Sequence, residues 1–307
     1  MITVVIPTRN RAKILDRVLP TYYLQKHVKE IVIVDDASDD ATRLVVEKYS
    51  KTSGDIKTIY FRNVKRLGAS ESRNQGVRLA NFDYIMFGED DAFLELNYTD
   101  ILLSKIQSDY DQVGIVSGRL VLMRYRENPD SALLRFGDGR KNSAVFDYKK
   151  FKFNPDAYFM GDVELPLTHA LILTRKDLLE KFPFDSTYDQ GNGFREESDY
   201  QIRVFLGGLR ILMTNDTHCM HLSPQDTRQG GQRTSFLKKY FWSIKYTKYF
   251  YDKYFNQFRD VLKIPYSRRV AILIYFLMET SELLHACLLG IRKRIAKMLL
   301  SKAKVRV

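Results

Sequence analysis

Four apolar runs, Ile2–Ile6, Glu30–Val34, Ile56–Phe61 and Tyr84–Phe87, alternate with segments of helical period, and this alternation constrains the fold more than any other feature. The runs lack the apolar/polar alternation of a half-exposed strand, so they read as strands buried on both faces, as in a parallel sheet covered by helices. Between them, Arg11–Gln25 places Ile14, Leu15, Val18, Leu19 and Tyr22 at helical spacing, with Pro20 expected to bend the helix. A second helix carries Leu44, Val45 and Val46, with Ser38 or Asp39 as its expected cap, and Ala69–Leu79 is a third. The order β-α-β-α-β-α-β predicts an α/β fold with a mostly parallel central sheet flanked by helices. Such sheets bind ligands at the carboxyl ends of their strands. The polar clusters Thr8-Arg9-Asn10, Asp35-Asp36 and Glu89-Asp90-Asp91 fall there.

Farther along, Arg119–Leu165 reads as long strands with loops, including Gly137 and Gly139, and Thr168–Thr174 as another buried strand. Arg195–Leu206 reads as a helix with acid at its start, and Arg210–Met213 and His218–Leu222 as short strands. The charge divides the chain. Residues 233–307 hold 17 basic and 4 acidic residues of the chain's 49 and 37, leaving 32 basic and 33 acidic for residues 1–232. The net charge of +12 therefore sits on the last quarter, a basic extension on a neutral body. We expect a domain over 1–232, with halves 1–118 and 119–232, and a helical extension over 233–307. The two cysteines, Cys219 and Cys287, are too few for a disulfide framework or a four-cysteine zinc site and point to a reducing compartment. The start MITVVIPTRN shows no signal peptide, so a cytoplasmic location is expected.

No GxGxxG, Walker A, HExxH or GxSxG motif occurs, which removes the commonest nucleotide, zinc-protease and hydrolase readings. What remains is carboxylates at strand ends. Val4–Arg11 (VVIPTRNR), Val32–Ser38 (VIVDDAS), Gly68–Gly76 (GASESRNQG), Glu89-Asp90-Asp91 and Arg195–Tyr200 (REESDY) stand in an order and spacing that resembles family 2 glycosyltransferases. The resemblance covers about residues 1–225. It implies a GT-A fold, related to the Rossmann fold, and inverting transfer of a sugar from a nucleoside diphosphate sugar to a hydroxyl of a glycan or lipid-linked acceptor.

The resemblance gives Asp36 the imide N–H of a uracil or thymine ring, hence a UDP or dTDP sugar; a helix-capping acid is the alternative. Pro7, Thr8 and Arg9 would line the same base and ribose pocket. Lys65 and Arg66, before the glycine that opens a helix, suit a diphosphate, or form a solvated basic turn. Arg73-Asn74 matches a family pair on that helix, where it could also be structural. Glu89, Asp90 and Asp91 resemble the family's DxD motif with Glu at its first position. Three adjacent acids repel without a cation, and Mg²⁺ or Mn²⁺ takes oxygen ligands. Asp91 stands where the family binds metal directly. His221 resembles the histidine that some GT-A enzymes add as a further ligand, or is a packed residue. Glu196-Glu197 resembles the pair that supplies the catalytic base, with Glu197 aligned to the second acid and Glu196 the other choice. His169 is a candidate on the acceptor side.

The extension carries 11 aromatic residues in Phe236–Phe258, interleaved with lysines. The later apolar segment is broken by Glu279, Glu282 and His285, so it is read as an interfacial or packed amphipathic helix and not a transmembrane one. Peripheral contact with the inner face of an anionic membrane is expected, core packing being the alternative. Two other classes compete: a sugar nucleotidyltransferase, which would open on a glycine-rich loop absent here, and a nucleic-acid-binding basic protein, against which the neutral body argues. No nucleic-acid partner is expected.

Overall fold

The computed structural model describes residues 1–51, 54–137, 144–227 and 235–304, with side chains through Leu288 except Ala286. Gly139 and the junction expected at 232/233 lie outside the described residues. The chain forms two compact units, Met1–Arg233 and Thr234–Val307.

The first unit opens with β1 (Ile2–Thr8), α1 (Ala12–Tyr23), β2 (Val28–Asp35), α2 (Thr42–Ser50), β3 (Lys57–Arg62), α3 (Ala69–Leu79) and β4 (Tyr84–Phe87). It continues through β5 (Ala92–Leu94), α4 (Tyr98–Ser108), β6 (Val113–Leu122), α5 (Pro129–Gly137), β7 (Phe146–Asp147), β8 (Lys152–Phe153) and β9 (Asp162–Glu164). It closes with β10 (Ile172–Arg175), α6 (Lys176–Lys181), a 3-10 turn over Ser186–Asp189, α7 (Glu196–Leu206) and β11 (Arg210–His221).

Nine of these strands form one sheet in the order β3-β2-β1-β4-β10-β6-β11-β5, with β9 beside β11. Strands β3, β2, β1, β4, β6 and β11 run one way; β10, β5 and β9 oppose them. The first two apolar runs are strands with both faces covered, since Val4, Val5, Ile6 and Ile31–Val34 are fully buried. The third run, β3, lies at the sheet edge and is only half-buried, contrary to the expectation that all four are covered on both faces. The helix over α1 buries Ile14, Leu15, Val18, Leu19 and Tyr22, the stripe its period calls for.

Three local expectations are corrected. The α2 start is held by Asp40, whose Oδ1 accepts from the Thr42 N–H at 3.0 Å, while Ser38 Oγ accepts from Asn10 N at 2.9 Å. The two short strands near 210–222 are one, because an irregularity between Met213 and His218 lets β11 stay paired with β6 along its length. The region 119–165 holds the end of β6, helix α5 and a β7/β8 hairpin in place of long strands, since Pro129 and Asp130 suit a helix first turn.

The second unit is a pair of helices, α8 (Phe236–Leu262) and α9 (Arg268–Lys304). Ser235 caps α8 by accepting from Lys238 N, and left-handed Lys263 followed by Pro265 ends it. Tyr240 with Thr280, Tyr251 with Tyr275 and Asp252 with Arg268 show that the helices run antiparallel. Among the described residues no helix is long and apolar enough to cross a membrane.

Candidate active site

The site follows from the register of the sheet. Thr8 sits beside Asp35, and Val5 beside Phe87, so the loops leaving β1, β2 and β4 emerge at one rim. The loop after β4 is pinned by Tyr22 of α1, whose hydroxyl accepts from Glu89 N (3.0 Å) and donates to Glu89 O (2.9 Å). Asp91 O accepts from Leu222 N at 2.9 Å, tying that loop to the end of β11. These bonds bring Glu89, Asp91 and His221 together although 130 residues separate Asp91 from His221.

One ligand atom from each of Glu89, Asp91 and His221 lies within 4.8 Å of the others. His221 Nε2 is 3.1 Å from Asp91 Oδ1 and 3.8 Å from Glu89 Oε2. Its Nδ1–H donates to the Leu222 carbonyl at 2.9 Å, which turns Nε2 toward the acids, the way an outer partner orients a metal-binding imidazole. Burial opposes charge on the imidazole, but Asp91 and Glu89 outweigh it and push its pKa up to about 10. Burial would raise the Asp91 carboxyl, yet the His221 and Arg11 cations hold it well below the usual range. Burial lifts Glu89 to about 7. Two carboxylates and one imidazole fit Mn²⁺ or Mg²⁺, which favour oxygen donors and keep positions open for phosphate and water.

Asp90 turns away from this group. It accepts from Thr8 Oγ1 at 2.7 Å and from Arg11 Nη1 at 2.6 Å. The same Arg11 nitrogen reaches Asp91 Oδ2 at 2.5 Å, so one guanidinium spans two acids of the triplet. Burial raises the Asp90 carboxyl and Arg11 opposes the shift.

Glu196 and Glu197 begin α7. The residue before them, Arg195, has a left-handed backbone (φ 76), and its guanidinium donates to Phe151 O and Lys150 O, fixing the start of the helix against the β7/β8 hairpin. Glu196 points inward, where it bonds Arg73 of α3 and accepts from Ser70 Oγ at 3.1 Å. Its burial raises its carboxyl pKa, and the Arg73 guanidinium opposes the rise. Glu197 stays 30% exposed, with Oε1 3.6 Å from Arg73 Nη2, whereas the Glu196 side chain is 5% exposed.

Asp36 Oδ1 accepts from Leu67 N (2.7 Å) and Asn63 Nδ2 (2.9 Å), and Oδ2 from Gly68 N (3.0 Å). Asp36 therefore shapes the 63–68 loop as well as lining the cavity, and it caps no helix. Gly68 sits at φ 104, where an L side chain is strained, and a Cβ there would collide with Asp189 at 2.4 Å. Asp189 accepts from Ser70 N (2.7 Å) and Glu71 N (3.1 Å). The α3 N-terminus, expected to hold a diphosphate, is thus already satisfied by a carboxylate of the protein's own.

One cavity of about 520 Å³ joins these groups. Pro7, Thr8, Arg9, Asp36, Arg66, Arg73, Glu89, Asp90, Asp91, His169, Glu196, Glu197 and His221 all line it. Lys65 is exposed and does not line it, and Asn74 instead exchanges hydrogen bonds with the Phe184 backbone, fastening α3 to the segment before α7. His169 borders the cavity with both ring nitrogens engaged: Nε2–H donates to Gly118 O (2.8 Å) and Nδ1 accepts from Leu171 N (3.2 Å). Sequence reasoning missed Arg11, Lys152, Phe153, Phe194 and Arg195. Arg11 closes one of the motifs and Arg195 opens another, so both were within reach; Lys152 and Phe153 carry no local signal.

A family model described as glycosyl transferase family 2 matches residues 3–166, more than half of the chain. The chain belongs to glycosyl transferase family 2. The GalNAc(5)-diNAcBac-PP-undecaprenol β-1,3-glucosyltransferase of Campylobacter jejuni is 29% identical over 113 residues, 36% of this chain and 36% of that protein. The poly(ribitol-phosphate) β-N-acetylglucosaminyltransferase TarS of Staphylococcus aureus is 28% identical over 120 residues, 34% of this chain and 21% of that one. The matched stretches thus span about a third or less of these relatives' lengths. Two solved structures share the fold. The mannosyltransferase PcManGT of Pyrobaculum calidifontis, in complex with GDP-Man and Mn²⁺, has a TM-score of 0.61 at 17% identity, covering 96% of this chain and 80% of that one. S. aureus TarS 1–349 with UDP-GlcNAc has 0.58 at 15% identity, covering 91% and 72%. The fold of this family 2 chain is therefore GT-A.

Proposed function

We propose that this family 2 protein transfers a sugar, with inversion, from a nucleoside diphosphate sugar to a hydroxyl of a glycan or lipid-linked acceptor. The observation that carries this is a single cavity lined by an accessible carboxylate, Glu197, by the Glu89, Asp91 and His221 cluster and by Asp36. The acceptor oxygen attacks the anomeric carbon as its proton passes to a Glu197 oxygen, and the bond from that carbon to the diphosphate breaks on the opposite face. Glu197 is the base and Glu196 its buried support. Residues 1–118 would bind the donor and 119–232 would present the acceptor and the base.

Glu89, Asp91 and His221 would hold Mg²⁺ or Mn²⁺, which supplies positive charge to the departing diphosphate. Thr8, Arg9 and Asp36 take the nucleoside; a carboxylate at position 36 favours the imide of uracil or thymine, so UDP or dTDP sugars are the proposed donors. Neighbours of the same fold were solved with UDP-GlcNAc and with GDP-Man, which supports the donor class and leaves the base open. The undecaprenol named for the C. jejuni relative supports a lipid-linked acceptor. We also assign residues 233–307 to peripheral contact with the cytoplasmic face of a membrane.

Thermal shift with UDP, dTDP, GDP and CDP sugars plus Mn²⁺ identifies the donor. With that donor, Glu197→Gln lowers turnover about 10²–10⁴-fold and leaves donor affinity unchanged. Normal turnover in that variant would reject the assignment.

A further inference from the structure

In α9, Val270, Leu273, Leu277, Leu284 and Leu288 are 43%, 55%, 57%, 59% and 59% exposed. At 100° per residue they fall within an arc of about 60°, and their stripe runs about 27 Å along the helix. The reverse face is spent on α8: Ala271 and Tyr275 are buried, Tyr275 meets the Tyr251 ring at 6.4 Å, and Glu279 accepts from Ser243 Oγ at 3.2 Å. The apolar stripe is consequently not what holds the helix pair together.

Charge says what covers it. Between Arg268 and Lys304 there are eight basic residues and two acidic ones, Glu279 and Glu282, and no acid follows Glu282. Arg268 is paired with Asp252 of α8, so Arg269 is the cation that precedes the stripe, and Arg292, Lys293, Arg294 and Lys297 follow it in the sequence. A second copy of α9 laid on the stripe would meet like charge at its ends in either orientation: Arg269 against itself when parallel, or against Arg292–Arg294 when antiparallel. Self-association needs complementary flanking charges and finds none here. An anionic bilayer surface supplies apolar depth for the leucines and negative charge for both ends.

We propose that the Val270–Leu288 stripe of α9 is a docking face for an anionic lipid bilayer, with the helix lying along the surface. The inference sharpens the membrane contact proposed above and is independent of the transfer chemistry. Flotation of the full chain tests it, using vesicles of about 30% phosphatidylglycerol in phosphatidylcholine at about 0.1 M salt, against phosphatidylcholine alone. The chain floats with the anionic vesicles and not with the neutral ones, and Leu277→Glu/Leu284→Glu lowers the bound fraction at least tenfold. Arg292→Gln/Arg294→Gln, which leaves the leucines in place, weakens binding and its dependence on salt. Far-UV circular dichroism confirms that each variant keeps its helices. Equal flotation by the leucine variant, or equal binding to neutral vesicles, overturns the proposal. So does a dimer in light scattering that the same leucine substitutions dissolve while no vesicle binds. No donor or acceptor is present, so the outcome leaves the transfer reading to its own test.

Discussion

Removing Arg73 should cost far more stability than removing it together with its partner. Arg73 and Glu196 are each 5% exposed in their side chains and are bonded to each other beneath the cavity. The guanidinium also lies 5.5 Å from the Phe184 ring centre and 5.9 Å from that of Phe87. In Arg73→Met, Glu196 keeps only Ser70 Oγ as a polar partner among the described contacts, and an uncompensated buried charge costs about 3–5 kcal/mol. The weaker approach to partly exposed Glu197 adds about 0–1 kcal/mol at most. With a urea slope of about 3 kcal/mol/M, the midpoint falls by about 1–2 M. The double variant Arg73→Met/Glu196→Leu replaces the pair with apolar groups and returns to within about 1 kcal/mol of the parent. The pH dependence has a definite sign. Burial already raises the Glu196 carboxyl and Arg73 opposes the rise, so in Arg73→Met the carboxyl rises further; the added penalty is full above that raised pKa and shrinks as pH falls through it. Urea unfolding followed by far-UV circular dichroism is the assay, since the single tryptophan, Trp242, belongs to the other unit. If the double variant loses the sum of the two single losses, within about 0.5 kcal/mol, the buried pair is not coupled and this reasoning fails.

Mn²⁺ at about a hundred times its dissociation constant should stabilise the parent by about 2.7 kcal/mol, roughly 5 °C or more in Tm, and Asp91→Asn should abolish the shift in a thermal melt. Burial lowers the His169 ring to about 4, so the neutral ring contributes stability that is full above about 6.5 and lost as pH falls toward 4. The loss at pH 5 is about 1–2 kcal/mol, discounted because the ring borders the cavity; His169→Gln should flatten the urea midpoint between pH 7 and 5, and an unchanged slope would remove His169 from the account. Gly118→Ala places a Cβ 2.4 Å from the Tyr98 ring and 2.8 Å from the Thr217 carbonyl, and should cost about 1–3 kcal/mol or more by urea titration; no loss would mean that β6 shifts freely at this point.

The amino-acid sequence by itself determined the sheet's first four strands, the helices between them and the rim where the cavity opens. The reason is local: Val4–Ile6 and Ile31–Val34 are apolar without alternation, and such runs are stable only when buried on both faces. It also named most of the cavity's charged residues, because acids at the carboxyl ends of parallel strands fall at the rim where the cavity opens. Tertiary structure decided which of them stay accessible and which are buried. Glu196 and Glu197 are neighbours in sequence, and only the packing of α7 on α3 turns one into a buried partner of Arg73 and leaves the other facing the cavity. Lys65, Asn74 and the α3 N-terminus looked available from their spacing, but one is exposed outside the cavity and the others are engaged by Phe184 and Asp189. The join of Asp91 to His221 depends on strand register across a nine-stranded sheet, and register arises from pairings between distant segments that no local pattern encodes.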